Sequence, residues 1–217
     1  MNLSVILLVL AGALLPALLY YECREKRQGM LPTKTALSVL FVIAAFTQPH
    51  PIPSYYHLLL LGLMFCLAGD IFLALPQERM FRLGLAAFLI GHLFYTAAFF
   101  MTAHLSARTG WGTLVVVIAS IWIYAWLKPH LGRMKAPVLI YIVVITLMVS
   151  GASSVWGDPR LAWMGRVMVF LGACCFYVSD IFVARDRFVK KEPLNRLLGL
   201  PLYYGGQFLL AFSVGHL

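Results

Sequence analysis

Long apolar runs alternate with short polar breaks along the whole chain. A membrane-spanning helix needs about 20 mainly apolar residues. Eight runs approach that length and predict helices over about 2–21, 32–48, 55–75, 82–104, 111–128, 137–155, 161–184 and 198–216. The breaks are compact: basic ECREKRQGML, uncharged Pro-rich PHPIPS, the tight PQERMF and the longer RDRFVKKEPLNR. No Lys or Arg precedes the first run, so the charged opening of a signal peptide is missing and the run is taken as a spanning helix.

Composition sharpens this picture. The chain has 217 residues, is 62% apolar and only 12% charged, with a mean hydropathy of +0.88. A soluble domain could not hide so much apolar surface. The expected class is therefore an all-α polytopic membrane bundle of eight spans, in one domain over 1–217. A net charge of +9 raises the question of nucleic acid. The basic residues instead punctuate apolar runs, which is how membrane topology is written. Fourteen of the 17, Lys34 and Arg82 among them, follow odd-numbered runs or flank them, and only Arg108, Arg160 and Arg166 fall on the other side. The positive-inside rule then puts both termini outside the cytoplasm. A bacterial inner membrane is the expected location.

Two apolar runs each contain an aspartate. FCLAGDIFLAL carries Asp70 and CFYVSDIFVA carries Asp180, 110 residues apart. The likeness extends further. GLAAFLIGHLF from Gly84 matches GLPLYYGGQFL from Gly199 at an offset of 115, which aligns His92 with Gln207 and Gly91 with Gly206. Pro32 and Pro137 open the second and sixth runs at an offset of 105. These offsets predict two parallel four-helix halves, about 1–104 and 111–217, with a site where they meet. An ionisable group inside a spanning helix costs roughly 2.5–3.5 kcal/mol on insertion scales and marks function by default. A low-dielectric site disfavours the charged form of a carboxyl, and two carboxyls in one site tend to separate into an acid and a carboxylate. Such a pair can give and take protons.

Other residues join as candidates. His92 and Tyr95 share a face of the fourth helix, three residues apart. The imidazole is expected to orient one aspartate or place a water. Gln207, Tyr203 and Tyr204 on the eighth helix, Tyr141 on the sixth and Tyr177 on the seventh are expected to line the site, each needing a hydrogen-bond partner in lipid. Lys34 and Arg82 sit at a depth suited to a lipid phosphate. Gly84, Gly91, Gly199, Gly205 and Gly206 permit close helix contact. The remaining histidines, His50, His57, His104, His130 and His216, fall at helix ends and suit the interface. Cys23, Cys66, Cys174 and Cys175 show no metal-ligand spacing and are taken as packing residues. GxSxG, HExxH and phosphate loops are absent. No metal or cofactor is expected, and direct acid–base work on a lipid fits the inventory better than acyl-enzyme chemistry.

The joint order of GLMFCLAGDIFLALP, GLAAFLIGHLFY, PVLIY, SDIFVA and YYGGQ resembles the YhhN family of lysoplasmalogenase-like membrane proteins. At the second helix, where the family tends to carry a Lys-Pro pair, this chain has Pro32 and then Lys34-Thr35. The resemblance implies an eight-helix lipid enzyme. Such an enzyme would hydrolyse the vinyl ether of lysoplasmalogen, giving a fatty aldehyde and a glycerophospho-ethanolamine or -choline. It implies Asp70 and Asp180 as acid and base with His92 orienting one of them, a lysophospholipid as partner and no cofactor. From the residues alone, a proton-coupled transporter and a non-catalytic lipid-binding protein stay open.

Overall fold

A computed structural model describes residues 2–217, the side chains of 107 and 108 excepted, so the side assigned to Arg108 lies outside the described residues. The described residues form eight α-helices: α1 (Leu3–Cys23), α2 (Arg27–Phe46), α3 (Pro53–Ala74), α4 (Glu78–Thr102), α5 (Ala107–Leu127), α6 (Lys135–Gly157), α7 (Trp163–Ala184) and α8 (Pro193–Ser213). At 1.5 Å per residue each is roughly 30–38 Å long. Helices α1 to α7 are long and apolar enough to cross a membrane. The eighth has the length, but Asn195, Arg196, Tyr203, Tyr204 and Gln207 reduce its apolar character. All of these except Arg196 are buried inside the bundle rather than turned outward.

Two helix edges differ from expectation. Helix α2 starts at Arg27, five residues before Pro32, which becomes an internal proline. The expected loop after α7 is largely helical: a π turn over Arg185–Val189 extends α7, and α8 begins with Pro193 at its first position. Proline is favoured there, where its missing N–H costs nothing.

The tightest antiparallel pairs are α3 with α4 and α7 with α8. Helix α6 packs on α4, α5 and α7, and α8 packs on α1 and α2 as well as α7. Glycine governs the two tight crossings. A Cβ on Gly91 would lie 3.0 Å from the carbonyl oxygen of Gly62, and one on Gly206 only 2.8 Å from that of Gly172. Gly172 and Gly206 stand 110 and 115 residues after Gly62 and Gly91. The two crossings therefore share one register. Gly205, expected to make a close contact, faces open space instead. One core runs through the bundle, with Leu37, Phe41, Tyr55, Leu63, Phe99, Met148, Phe176 and Leu210 at its centre. Exposed apolar side chains, Trp111, Ile118, Ile121 and Trp122 on α5 among them, cover the outside. That distribution suits a lipid surround.

Candidate active site

Asp70 and Asp180 each stand four residues before the ends of their helices, Ala74 and Ala184. Each is about 6 Å in from its helix end, and both line one cavity of about 660 Å³. That volume lies within the usual range for small-molecule sites, about 300–1,000 Å³. The polar end of the cavity holds Glu22, Arg27, Lys34, Asn195 and Arg196. Its apolar walls come from Leu85 and Phe88 on α4, Ile123 on α5, Ile142 and Ile145 on α6 and Ile181 on α7.

Asp70 is 1% exposed. Its Oδ2 accepts hydrogen bonds from Ser38 Oγ at 2.6 Å and Tyr203 OH at 2.5 Å. Lys34 Nζ stands 3.7 Å from Oδ1 and 3.9 Å from Glu22 Oε1, and forms no hydrogen bond to either. Behind Tyr203 a chain continues into the core: Gln207 Nε2 donates to Tyr203 OH at 3.3 Å, and Tyr95 OH donates to Gln207 Oε1 at 2.8 Å. Tyr204 OH donates to the Lys34 carbonyl at 3.3 Å and so braces the same turn of α2. Asp180 is less enclosed. It accepts one hydrogen bond, from Tyr141 OH at 2.6 Å. Tyr177 also lines the cavity, and its hydroxyl bonds Ser120 at 2.7 Å.

The expected residues thus divide. Asp70, Asp180, Lys34, Tyr141 and Tyr177 line the cavity, while Tyr95, Tyr204 and Gln207 support it from behind. His92 is fully buried, but neither ring nitrogen has a hydrogen-bond partner. The imidazole was expected beside a carboxylate. It packs edge-on against Phe176 at 4.5 Å and Tyr141 at 5.3 Å between ring centroids, one ring removed from Asp180. Arg82 does not line the cavity. Helix α4 starts at Glu78, which turns Arg82 outward on its second turn, where it is exposed. Tyr203 lines the cavity as expected, whereas Ser38 and Glu22 were not anticipated. Hydroxyls inside apolar helices are common, and nothing in the chain pairs Ser38 or Tyr203 with Asp70 across 32 and 133 residues.

Ion pairs ring the cavity mouth. Lys191 bridges to Glu25 at 2.6 Å and Arg187 pairs with Glu78. The ammonium of Lys191 holds the Glu25 carboxyl below the usual carboxylate range, and Lys190 with Arg185 does the same for Glu192. No group of His, Cys, Asp and Glu among the described residues is arranged to hold a metal ion.

Eight helices, seven of them apolar enough to span, with a paired-carboxylate cavity at one end, define an integral membrane protein of the helical-bundle class. The chain belongs to the YhhN family, which matches residues 30–214. It is similar to lysoplasmalogenase TMEM86A of Bos taurus, 34% identical over 80% of this chain and 72% of that protein. It is also similar to the lysoplasmalogenase of Mycobacterium tuberculosis, 31% identical over 81% of this chain and 66% of that protein. Human lysoplasmalogenase TMEM86A is 33% identical over 80% of this chain and 72% of its own length. No solved structure matches.

Proposed function

We propose that this chain is a lysoplasmalogenase-type hydrolase that uses Asp70 and Asp180 as an acid–base pair on a vinyl ether. The observation that carries the reading is their convergence: two carboxyls 110 residues apart line one cavity that is cationic at one end and apolar along its walls. The names of the relatives supply the bond, and the site supplies the means.

Hydrolysis of an enol ether begins with a proton on the β-carbon, the carbon on the chain side of the ether linkage. Asp180 stands with the apolar walls, holds a single phenol bond and has no cation within ion-pair distance. It is the acid. Protonation leaves an oxocarbenium ion whose positive charge the two carboxyl sites stabilise. Asp70 has donors and an ammonium on every named side, and those contacts favour a carboxylate. It is the base, taking a proton from water as the oxygen attacks the carbon next to the ether oxygen. The hemiacetal collapses to a fatty aldehyde and the glycerol hydroxyl, and a proton shift returns both aspartates to their starting forms. Lys34, with donors free, faces the phosphate of the head group, and Tyr177 lines the path of the chain. His92 fixes the ring of Tyr141 and through it the direction of Asp180. The positive-inside pattern turns the mouth toward the cytoplasm.

The test is aldehyde release from a lysoplasmalogen by purified protein in detergent, without a membrane gradient. Asp70→Asn and Asp180→Asn are each expected to lower turnover about 100-fold or more, with the folded yield unchanged. Full turnover in either variant refutes the pair, and no turnover by the unmodified protein refutes the activity.

A further inference from the structure

The cavity contains an arm too short for the chain it would serve. Asp180 lies about 6 Å from the end of its helix, and Ile145 stands ten residues into α6, about 15 Å from its own end on the same side. The arm therefore runs about 9 Å beyond the aspartate, whereas one leaflet of hydrocarbon is about 15 Å thick. Its deep end is closed by polar bonds and core packing. Ser120 bonds both Tyr177 at 2.7 Å and Thr146 at 2.6 Å, and Met148 and Val149 beyond are buried. A chain of ordinary length must leave sideways.

One seam offers that exit. Helices α5 and α7 both pack on α6 without packing along each other. Among the described residues two bridges link them. The deeper bridge is the Ser120–Tyr177 hydrogen bond. The outer one is an apolar cluster of Leu127, Leu131 and Val138, against which Ala184 and Phe188 pack. Between the levels of the two bridges lie Ile123 on α5 and Ile181 on α7, both lining the cavity and both partly exposed. Outside the seam the surface is lipid-facing, with Trp122 at 77% and Val178 at 39% exposure.

We infer that the gap between Ile123 of α5 and Ile181 of α7 is a side window through which an unbranched hydrocarbon chain passes from the bilayer to the aspartates. The occupant is the chain of a single-chain ether phospholipid, because the other end of the same cavity is lined by Lys34, Arg27 and Asn195 and suits a charged head group. The inference rests on the lipid-hydrolase reading for its substrate, though the binding measurement below does not.

The experiment places an indole in the window with Ile123→Trp and compares it with Ile121→Trp, whose position is 63% exposed to lipid and away from the cavity. Binding of a saturated 1-alkyl lysophospholipid, which carries no vinyl ether to cleave, is measured with long and short chains. Turnover of the matching alkenyl lipids is measured beside it. Ile123→Trp should weaken binding and kcat/KM for the long chain about tenfold or more, while the short chain and the Ile121→Trp control hold their wild-type values. Equal loss for both chain lengths, or no loss for either, overturns the window. Chain-selective loss of binding in a protein that releases no aldehyde keeps the window and refutes the hydrolase.

Discussion

Asp70 receives two hydroxyl hydrogen bonds and stands 3.7 Å from an ammonium, whereas Asp180 receives one phenol and no cation. The two sit in matched sequence, GDIFLA and SDIFVA. Their helices cross their neighbours through glycines in the same register. The difference comes from the neighbouring helices. At the offset of 105 from Lys34 and Ser38 stand Leu139 and Val143, which are exposed on the outside of α6 rather than turned to Asp180. At the offset of 115, Tyr203 corresponds to Phe88. The donors to the two aspartates therefore come from positions that do not correspond. Matched motifs thus sit among unmatched neighbours, which gives the two acids different surroundings. That is the arrangement in which one carboxyl gives a proton while its counterpart takes one.

The strongest way to break the contrast is to remove its charge. Lys34 is 7% exposed, and Lys34→Met would leave Glu22 and Asp70 facing one cavity end without the ammonium between them. Removing one partner of a buried ion pair costs about 3–5 kcal/mol. A loss of about 3 kcal/mol or more in stability is expected from thermal unfolding in detergent, with Lys34→Arg recovering much of it. An unchanged midpoint in Lys34→Met would mean that hydroxyls alone distinguish the two aspartates.

Removing single hydroxyls sharpens the same contrast. Tyr141→Phe takes away the only hydrogen bond to Asp180, whereas Tyr203→Phe leaves Asp70 its Ser38 bond at 2.6 Å. An unmade buried hydrogen bond costs about 1–3 kcal/mol, which is roughly 5- to 100-fold in a rate. Turnover should therefore fall about 10- to 100-fold in Tyr141→Phe and less than about tenfold in Tyr203→Phe. Equal losses would make the surroundings of the two acids equivalent in effect.

Much of this was legible before any coordinates. A carboxylate in an apolar run stands out, and two of them with shared flanks announce a site. Eight apolar runs announced eight helices. What stayed hidden depends on rotation and distance. Pro32 looked like the opening of a helix that in fact starts at Arg27, because a proline is as consistent with a first turn as with an internal position. Lys34 was expected to meet a lipid phosphate, and its depth gave no sign that the turn of α2 brings its ammonium to 3.7 Å from Asp70. Arg82 had the right depth but faced outward, since depth along a helix says nothing of its azimuth. His92 shares its face with Tyr95, as spacing indicated. Which ring it meets is set by α6 and α7, and those bring Tyr141 and Phe176 rather than a carboxylate. Glu22 lies on α1, before the stretch that matches the family, so no family motif pointed to it.

A third buried aspartate supplies the control for the comparison. Asp158 is 3% exposed and caps α6 at the end away from the cavity-lining Tyr141 and Ile145. It is clasped by Arg160, whose Nε donates to Oδ1 at 2.9 Å and Nη2 to Oδ2 at 2.5 Å, and it accepts the His104 backbone N–H at 3.0 Å. The guanidinium holds its carboxyl well below the usual carboxylate range. A folded-state value below the unfolded one means the folded state is favoured by ionisation. The contribution is fully present above the unfolded value, about 3.9, and is lost as pH falls through the lower folded value. Asp158→Asn should lower the unfolding temperature at neutral pH by a few degrees and leave turnover untouched. The gap between variant and wild type should close as pH is taken from about 5 toward 2. A structural aspartate gives that result, stability without rate, and the opposite result is expected of Asp70 and Asp180. If Asp158→Asn lowered turnover as they do, burial of an acid in this bundle would not by itself mark the site, and the case for the cavity pair would rest on its lining alone.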